Sequence, residues 1–288
     1  MAILNKMNRR TVVLLAIGLI VTLGVWHASL RVGTGPASGE GIEDFPSEAR
    51  AASSTVRIGT LNMASGRGRD GIVDLGRTAD VLEGLDLVAL QEARGGFLFR
   101  TDNQAAMLAR FRRCGWLYAP TETRWHCKQF GNAVLSNLPV RHWQRIPLPR
   151  QFDRSYRNMV FLTLDHGRRP IHVIATHATQ RDPRDRKVQL DAAIEFFLAL
   201  EEPAILLGDL NSLRDSPVIR QLAAREGVDE PIGRLVDAPP KGQVDWIFVR
   251  GLQCVAAGVR DEGVSDHPLY WVEIEVPGDE KSLSPGKK

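Results

Sequence analysis

What this chain is short of narrows it before any motif does. Only three cysteines occur in 288 residues, none with the spacing of a zinc site, so a structural zinc module is excluded. An exported protein would carry three cysteines only with one left unpaired. The formal net charge is only +3, from 37 Lys and Arg against 34 Asp and Glu, which excludes a polycation that binds through bulk charge. No internal repeat is visible, so a solenoid or propeller is not expected. Beyond residue 30 there is also no long apolar hairpin of the kind that dips into lipid. What is present is ordinary globular material, 43% hydrophobic and 25% charged, enough for one large core.

The amino terminus stands apart. Lys6, Arg9 and Arg10 precede a mostly apolar run over 11–26, between the length of a signal core and that of a full membrane span. Small residues at cleavage spacing are poor, and Trp26 and His27 suit an interface, so residues 1–31 read as an uncleaved anchor in preference to a cleaved signal. The basic flank would stay inside and the domain would lie on the outer, periplasmic or extracellular side; cleavage would make the protein secreted. Residues 32–54 read as a flexible linker, 55–277 as the folded domain and 278–288 as a disordered tail. Cys114 and Cys127 flank a segment with turn signals and are candidates for a disulfide, with Cys254 as a buried thiol.

Within the domain, three apolar runs end on polar groups. Ala204-Ile205-Leu206-Leu207 leads into Gly208-Asp209-Leu210-Asn211, a buried strand ending in an acid and an amide two residues apart. The run from Leu85 ends at Gln91-Glu92, and the run from Ile171 ends at Thr176-His177. Strand ends of this kind are ordinary where several converge on one cleft.

Further strands are expected at 57–62, 132–138, 159–164, 244–249, 254–259 and 269–276, with 159–164 and 171–177 forming a hairpin. Helices are expected over 74–82, 103–112, 186–200 and from Ser216-Pro217 to about Glu226, with Ser216 as cap. Two halves with strands and a helix suit two sheets with helices outside.

Asp245 opens the apolar run 244–249, where an unpaired carboxylate would cost roughly several kcal/mol unless bonded or solvated. Ser265-Asp266-His267-Pro268 offers the partner, because Pro268 biases His267 to an extended backbone. A carboxylate set against an imidazole, with a second carboxylate for a metal, is the chemistry this suggests. His126, His142, His166 and His172 lack such a context and read as structural.

Taken in order, Leu61-Asn62, Leu90-Gln91-Glu92, Gly131-Asn132-Ala133-Val134-Leu135-Ser136, Thr176-His177, Gly208-Asp209-Leu210-Asn211, Val244-Asp245-Trp246-Ile247 and Ser265-Asp266-His267 resemble the endonuclease/exonuclease/phosphatase superfamily. The resemblance implies an α/β fold, a four-layer sandwich of two mixed sheets with helices on both outer faces. It also implies a metal-dependent phosphoesterase. By that resemblance Glu92 is the main Mg²⁺ ligand, assisted by Asn62 and Asp266, with Mn²⁺ as an alternative ion. His267, oriented by Asp245, takes or orients the proton of the attacking water, and Asp209 holds that water in line. Asn211 and His177 donate to non-bridging oxygens, and Asn132 braces the pocket.

Two basic groups flank these motifs. One is Arg94, Arg100, Arg110, Arg112, Arg113 and Arg124; the other is Arg150, Arg154, Arg157, Arg181, Arg184, Arg186 and Lys187. Arg157 is the expected phosphate contact, against the bland reading of a solvated charged face. With Trp125, Phe130 and Trp143 as stacking candidates, a nucleic acid is favoured as substrate over a lipid headgroup, the anchor being the argument for the latter. A catalytically silent binding module of the same fold is the third reading. A monomer is expected.

Overall fold

Runs of β-branched and aliphatic residues assemble two sheets whose apolar faces meet. In a computed structural model, the described residues are 8–29, 31–33, 35–43, 54–96, 103–124, 127–165 and 169–276. Numbering elements in chain order, the seven-stranded sheet runs β1 (Arg31–Val32), β5 (Gly115–Arg124), β6 (Cys127–Ser136), β4 (Leu87–Ala93), β3 (Thr55–Asn62), β13 (Leu269–Glu275), β12 (Gln253–Arg260). The six-stranded sheet runs β11 (Asp245–Arg250), β10 (Ala204–Asp209), β9 (Ile171–His177), β8 (Asn158–Leu164), β7 (Val140–Pro147), β2 (Ser38–Gly39). Both are mixed: β3 is parallel to β4, and β9 to β10, while the other pairs are antiparallel.

Ile58, Leu87, Val134, Val160, Val173, Ile205 and Ile247 are buried between the sheets. Each removes apolar surface worth about 1.5–3 kcal/mol from water. The outer faces are covered by helices, which gives the four layers. Helices α2 (Leu75–Val81) and α3 (Gln104–Arg112) cover the first sheet through Ala79, Val81, Ala105 and Leu108. Helices α4 (Pro183–Ala199) and α5 (Pro217–Ala223) cover the second through Leu190, Phe197, Ile219 and Leu222. Caps fix where these start: Asp74 accepts from Gly76 and Arg77, Asn103 from Ala106, and Asp182 from Arg184. A short α6 (Pro231–Leu235) is capped by Glu230.

Several sequence expectations need correction. Helix α4 begins at Pro183, not 186, because Asp182 supplies the cap. Ser216 makes no side-chain cap bond, and its hydroxyl is buried without a partner. Cys114 is a free, buried thiol. It precedes β5 at the open end of a hairpin whose other end pairs Arg124 with Cys127. About ten residues of strand separate the two cysteines, on the order of 30 Å, whereas a disulfide needs Cα atoms within about 7 Å. The Cys127 side chain itself lies outside the described residues, whereas Cys254 is buried and free as expected.

The linker reading also changes at its start. β1 pairs with β5 on one sheet and β2 with β7 on the other, so residues 31–33 and 35–43 lie along the edges of both sheets. Arg145 pins them by donating to the carbonyls of Gly33 and Gly35 at 2.7 and 3.1 Å. Residues 44–53, the tail from 277, Arg100, Trp125, His126 and His166 lie outside the described residues. Helix α1 (Arg9–Ser29) exposes Leu14, Leu15, Leu19, Ile20 and Val21. Among the described residues no helix is long and apolar enough to cross a membrane.

Candidate active site

Register alone brings three of the expected residues together. β10 pairs with β9 and with β11 so that Asp209 lies opposite both His177 and Asp245. Gly208 makes that approach feasible: its φ is +140°, and a Cβ there would stand 1.9 Å from the Thr176 carbonyl oxygen. Across the gap between sheets, Asn62 at the end of β3 donates to Asp209 Oδ2 at 3.0 Å. The Asn211 backbone N–H donates to Asp209 Oδ1 at 2.9 Å, and His177 Nε2 is 3.5 Å from Oδ2. Asp209 is therefore fixed from both sheets.

His267 Nδ1 bonds Asp245 Oδ2 at 2.7 Å, as the sequence predicted for this pair. Asp209, Asp245 and His267 present atoms within 4.8 Å of one another. Ser265, which sequence reasoning passed over, locks the segment: its buried hydroxyl donates to the Asn62 carbonyl at 2.6 Å and lies 3.2 Å from Asp266 Oδ1. That places Asp266 beside Asn62. Glu92 follows Gln91, which is register-paired with Asn62, so the three expected ligands sit at adjoining strand ends.

Backbone geometry marks the same place. Five non-glycine residues among those described have positive φ, and four of them, Ala64, Ser65, Glu92 and Asn211, are at this end of the sandwich. Glu92 sits where the β4–β6 register slips between Leu90 and Ala93, with φ 60°. Such conformations cost about 1–3 kcal/mol each and persist where surrounding structure over-determines them.

Charges here are crowded and dry. Burial pushes Asp209 up to about 7, with the Asp245 charge adding to the rise against His267, Asn62 and Asn211. Burial also raises Asp245, opposed by its bond to His267. Burial would lower His267, but the Asp245 bond and the fields of Asp245, Asp209 and Asp266 outweigh it and carry the imidazole to about 9. His177 is held well below its usual range by burial, Arg157 and His267, so it is neutral. A polar cleft of about 330 Å³, lined by Arg69, Lys241, Gln243, Asp266 and His267 among others, opens on this group.

Arg157 is 8% exposed and its Nε has no partner. Its guanidinium lies 5.7 Å from the Phe130 ring centre, and that ring is 6.4 Å from His177. Burial lowers its pKa, while Glu122, Glu92, Asp153 and Asp209 pull it back up. Asn132 braces the structure: its amide nitrogen donates to the carbonyl and side chain of Asn158 at 3.0 and 2.9 Å, while its buried Oδ1 has no partner. Asn211 spends one amide N–H on the Ala178 carbonyl at 2.9 Å and keeps the other. Trp143 is buried in the core and cannot stack on a substrate.

The donors present suit a hard divalent cation. Asn62, Glu92 and Asp266 offer oxygen, as such ions require. Asp209 is held near 7 by burial first and by the Asp245 charge second, so a cation in this pocket would favour its ionised form.

Fold and site together define a metal-dependent phosphoesterase, a hydrolase acting on phosphate ester bonds. The chain belongs to the Endonuclease/Exonuclease/phosphatase family, whose model matches residues 59–267. Solved structures agree on the fold. An endonuclease/exonuclease/phosphatase from Beutenbergia cavernae is 22% identical with a TM-score of 0.63, covering 78% of this chain and 72% of its own. A family protein from Leptotrichia buccalis is 17% identical at 0.61, covering 76% and 99%. Humanized D. rerio TDP2 is 16% identical at 0.62, covering 77% and 99%. No curated protein matches the chain by sequence.

Proposed function

We propose that this protein is a Mg²⁺-dependent phosphodiesterase that cleaves nucleic acid by in-line attack of water, acting as a monomer outside the cell membrane. The observation that carries the chemistry is Asp209, held by Asn62 from one sheet and by the Asn211 N–H from the other, beside the Asp245–His267 pair. Glu92, Asn62 and Asp266 would hold the cation, with Mn²⁺ as a substitute. When bound, the ion supplies positive charge to the phosphate oxygens.

Asp209, with both oxygens already accepting hydrogen bonds, is oriented to hold a water against the phosphorus. His267, tied through Nδ1, leaves Nε2 for the cleft. In the chain alone it is protonated at neutral pH and donates to a phosphate oxygen; positive charge in the cleft would return it to an acceptor that takes the water's proton. Neutral His177 and the free Asn211 N–H suit the non-bridging oxygens. The buried guanidinium of Arg157, whose Nε has no partner, suits a phosphate beside the scissile one.

Nucleic acid is favoured over a lipid headgroup by the Arg-rich loops, while the exposed apolar side chains around α1 support placement at a membrane and are the argument for the lipid reading. The test is the full chain in detergent against plasmid DNA, RNA, sphingomyelin and phosphoinositides, with Mg²⁺, Mn²⁺ or chelator. Nicking of DNA that chelator abolishes is expected. Release of a phosphorylated headgroup alone would overturn the nuclease reading, and inertness toward all four would favour a binding module.

A further inference from the structure

The second basic group has an architecture that its sequence does not disclose. Residues 148–157 and 178–188 carry seven cations against three acids, a surplus of four where the whole chain has only +3. The rest of the molecule sums to about neutral, although residues 94–124 carry a like surplus of six cations against two acids, so this rim is one of two positive stretches. Both segments leave the strand ends that carry His177 and Asn158, so the rim borders the site.

The 148–157 loop is clamped. Asp185, fully buried in the first turn of α4, accepts the backbone N–H groups of Gln151, Phe152 and Asp153 at 2.8, 3.0 and 2.6 Å. Asp153 in turn accepts from the Ser155 N–H and the Thr179 hydroxyl at 3.0 and 2.7 Å, and the Thr179 N–H reaches Gln189 at 2.8 Å. A buried carboxylate filled by three N–H donors is well satisfied as an anion and fixes the loop's shape.

What the clamp holds outward is an aromatic ring. Phe152 is 53% exposed, the only large apolar side chain so exposed in the two segments. The Arg184 guanidinium lies 3.5 Å over it, steadied by Asp182 at 3.2 and 2.8 Å. Arg150 covers Tyr156 at 3.9 Å in the same way. The loop then ends in Arg157, whose guanidinium faces Phe130, which faces His177. Arg157, Phe130 and His177 therefore form one run of guanidinium and rings at the site, with the Arg150–Tyr156 and Arg184–Phe152 pairs on the two adjoining segments. A single exposed side chain needs no explanation; one fixed by a buried acid and flanked by arginines does.

We propose that this rim binds single-stranded nucleic acid, with Phe152 stacking a base, the arginines holding flanking phosphates and Asp185 acting as the positioning residue. Stacking on an open ring needs an unpaired base, which a duplex does not offer. An anionic bilayer would be met by charge alone and would prefer several exposed aliphatic side chains, which these segments lack. The proposal takes its location from the phosphodiesterase reading, but its test does not depend on turnover.

The full chain in detergent with chelator is titrated into fluorescent oligothymidylate, and binding is read by anisotropy. Phe152→Ala, at an exposed position, is expected to fold normally and to bind about tenfold more weakly. Phe152→Tyr should bind like the parent, and Asp185→Asn should weaken binding while duplex affinity falls less. Unchanged affinity in Phe152→Ala overturns the proposal. So does a loss confined to phosphatidylglycerol/phosphatidylcholine vesicles. In parallel, the parent protein is assayed on bis(p-nitrophenyl) phosphate with Mg²⁺. Failure there with a positive Phe152→Ala result would sink the phosphodiesterase reading and leave the rim standing.

Discussion

The two ends of the sandwich are built from the same strands and treat charge in opposite ways. At one end Arg57 pairs with Glu273 at 2.7 Å and also donates its backbone N–H to Asp86, and Arg250 pairs with Glu202 at 3.1 Å. Arg141 pairs with Asp165 near the start of β7. At least one partner of each pair is well exposed, each carboxylate meets a cation, and the positive φ values here belong to glycines such as Gly84 and Gly251 and to Arg113 at the end of α3. At the other end Asp209, Asp245, His177 and Arg157 are buried, the acids face one another, and Glu92 and Asn211 carry left-handed backbone. Stability alone would favour the first arrangement at both ends. The second is what a site that must hold a cation and a phosphate requires before they arrive.

The sharpest way to break that comparison is to remove one charged group at each end. His267→Ala should lower turnover of bis(p-nitrophenyl) phosphate by about a thousandfold or more with the fold intact by circular dichroism. Arg141→Gln, in a pair whose two side chains are both exposed, should leave the rate within about twofold and cost no more than about 1 kcal/mol in a thermal melt. Equal losses at both ends would mean the distinction is false. Arg157→Gln comes next: with one charged donor set lost to a phosphate, KM for an oligonucleotide should rise about ten- to a hundredfold. The change in kcat should be smaller.

The third effect is on stability and has a definite sign. Asp209, an acid raised to about 7 from 3.8, binds its proton more tightly folded than unfolded. In chelator its contribution therefore declines as pH rises from about 4 to 7 and is flat above. Asp209→Asn should abolish that decline and stabilise the chelated protein at pH 8 by about 2 kcal/mol while destroying activity. Urea unfolding at pH 5 and pH 8 measures it. A variant less stable than the parent at pH 8 would show that burial and the Asp245 charge do not penalise the ionised Asp209.

How much of this was legible in sequence follows from how local each cause is. Asp209, Asp245 and His177 could be found because a polar residue terminating an apolar run is visible within eight residues. The same logic gave β3, β4, β6, β8, β9 and β10. β5 and β7 were not legible: Pro120 and the turn-like residues near Cys114 mask a strand whose partner β6 supplies the pairing. Residues 31–33 and 35–43 have no period because they are held by Arg145 from far along the chain. Asp185 reads as an ordinary acid in a first helical turn, and only the fold brings the 151–153 N–H groups to it. Ser265 carried a weak signal, lying directly before Asp266 and His267. The stacking role assigned to Trp143 failed because alternation points it into the core.

The smallest expected effect is the counterpart of the Asp209 result. Glu273 is held below its usual 4.5 by its bond to Arg57, burial opposing. A depressed carboxylate contributes stability above its unfolded pKa and loses it as pH falls, the reverse of Asp209. Arg57 is 45% exposed at its side chain, so solvent screens the pair and its worth is about 0.2–1 kcal/mol. A double-mutant cycle with Arg57→Gln and Glu273→Gln, run at pH 7 and again near pH 3, should find that coupling only at pH 7, and less of it in high salt. Lowering pH should therefore weaken one end of the molecule while it relaxes the other. A coupling at Glu273 as large as the Asp209 effect would mean that exposure and pairing do not separate the two ends.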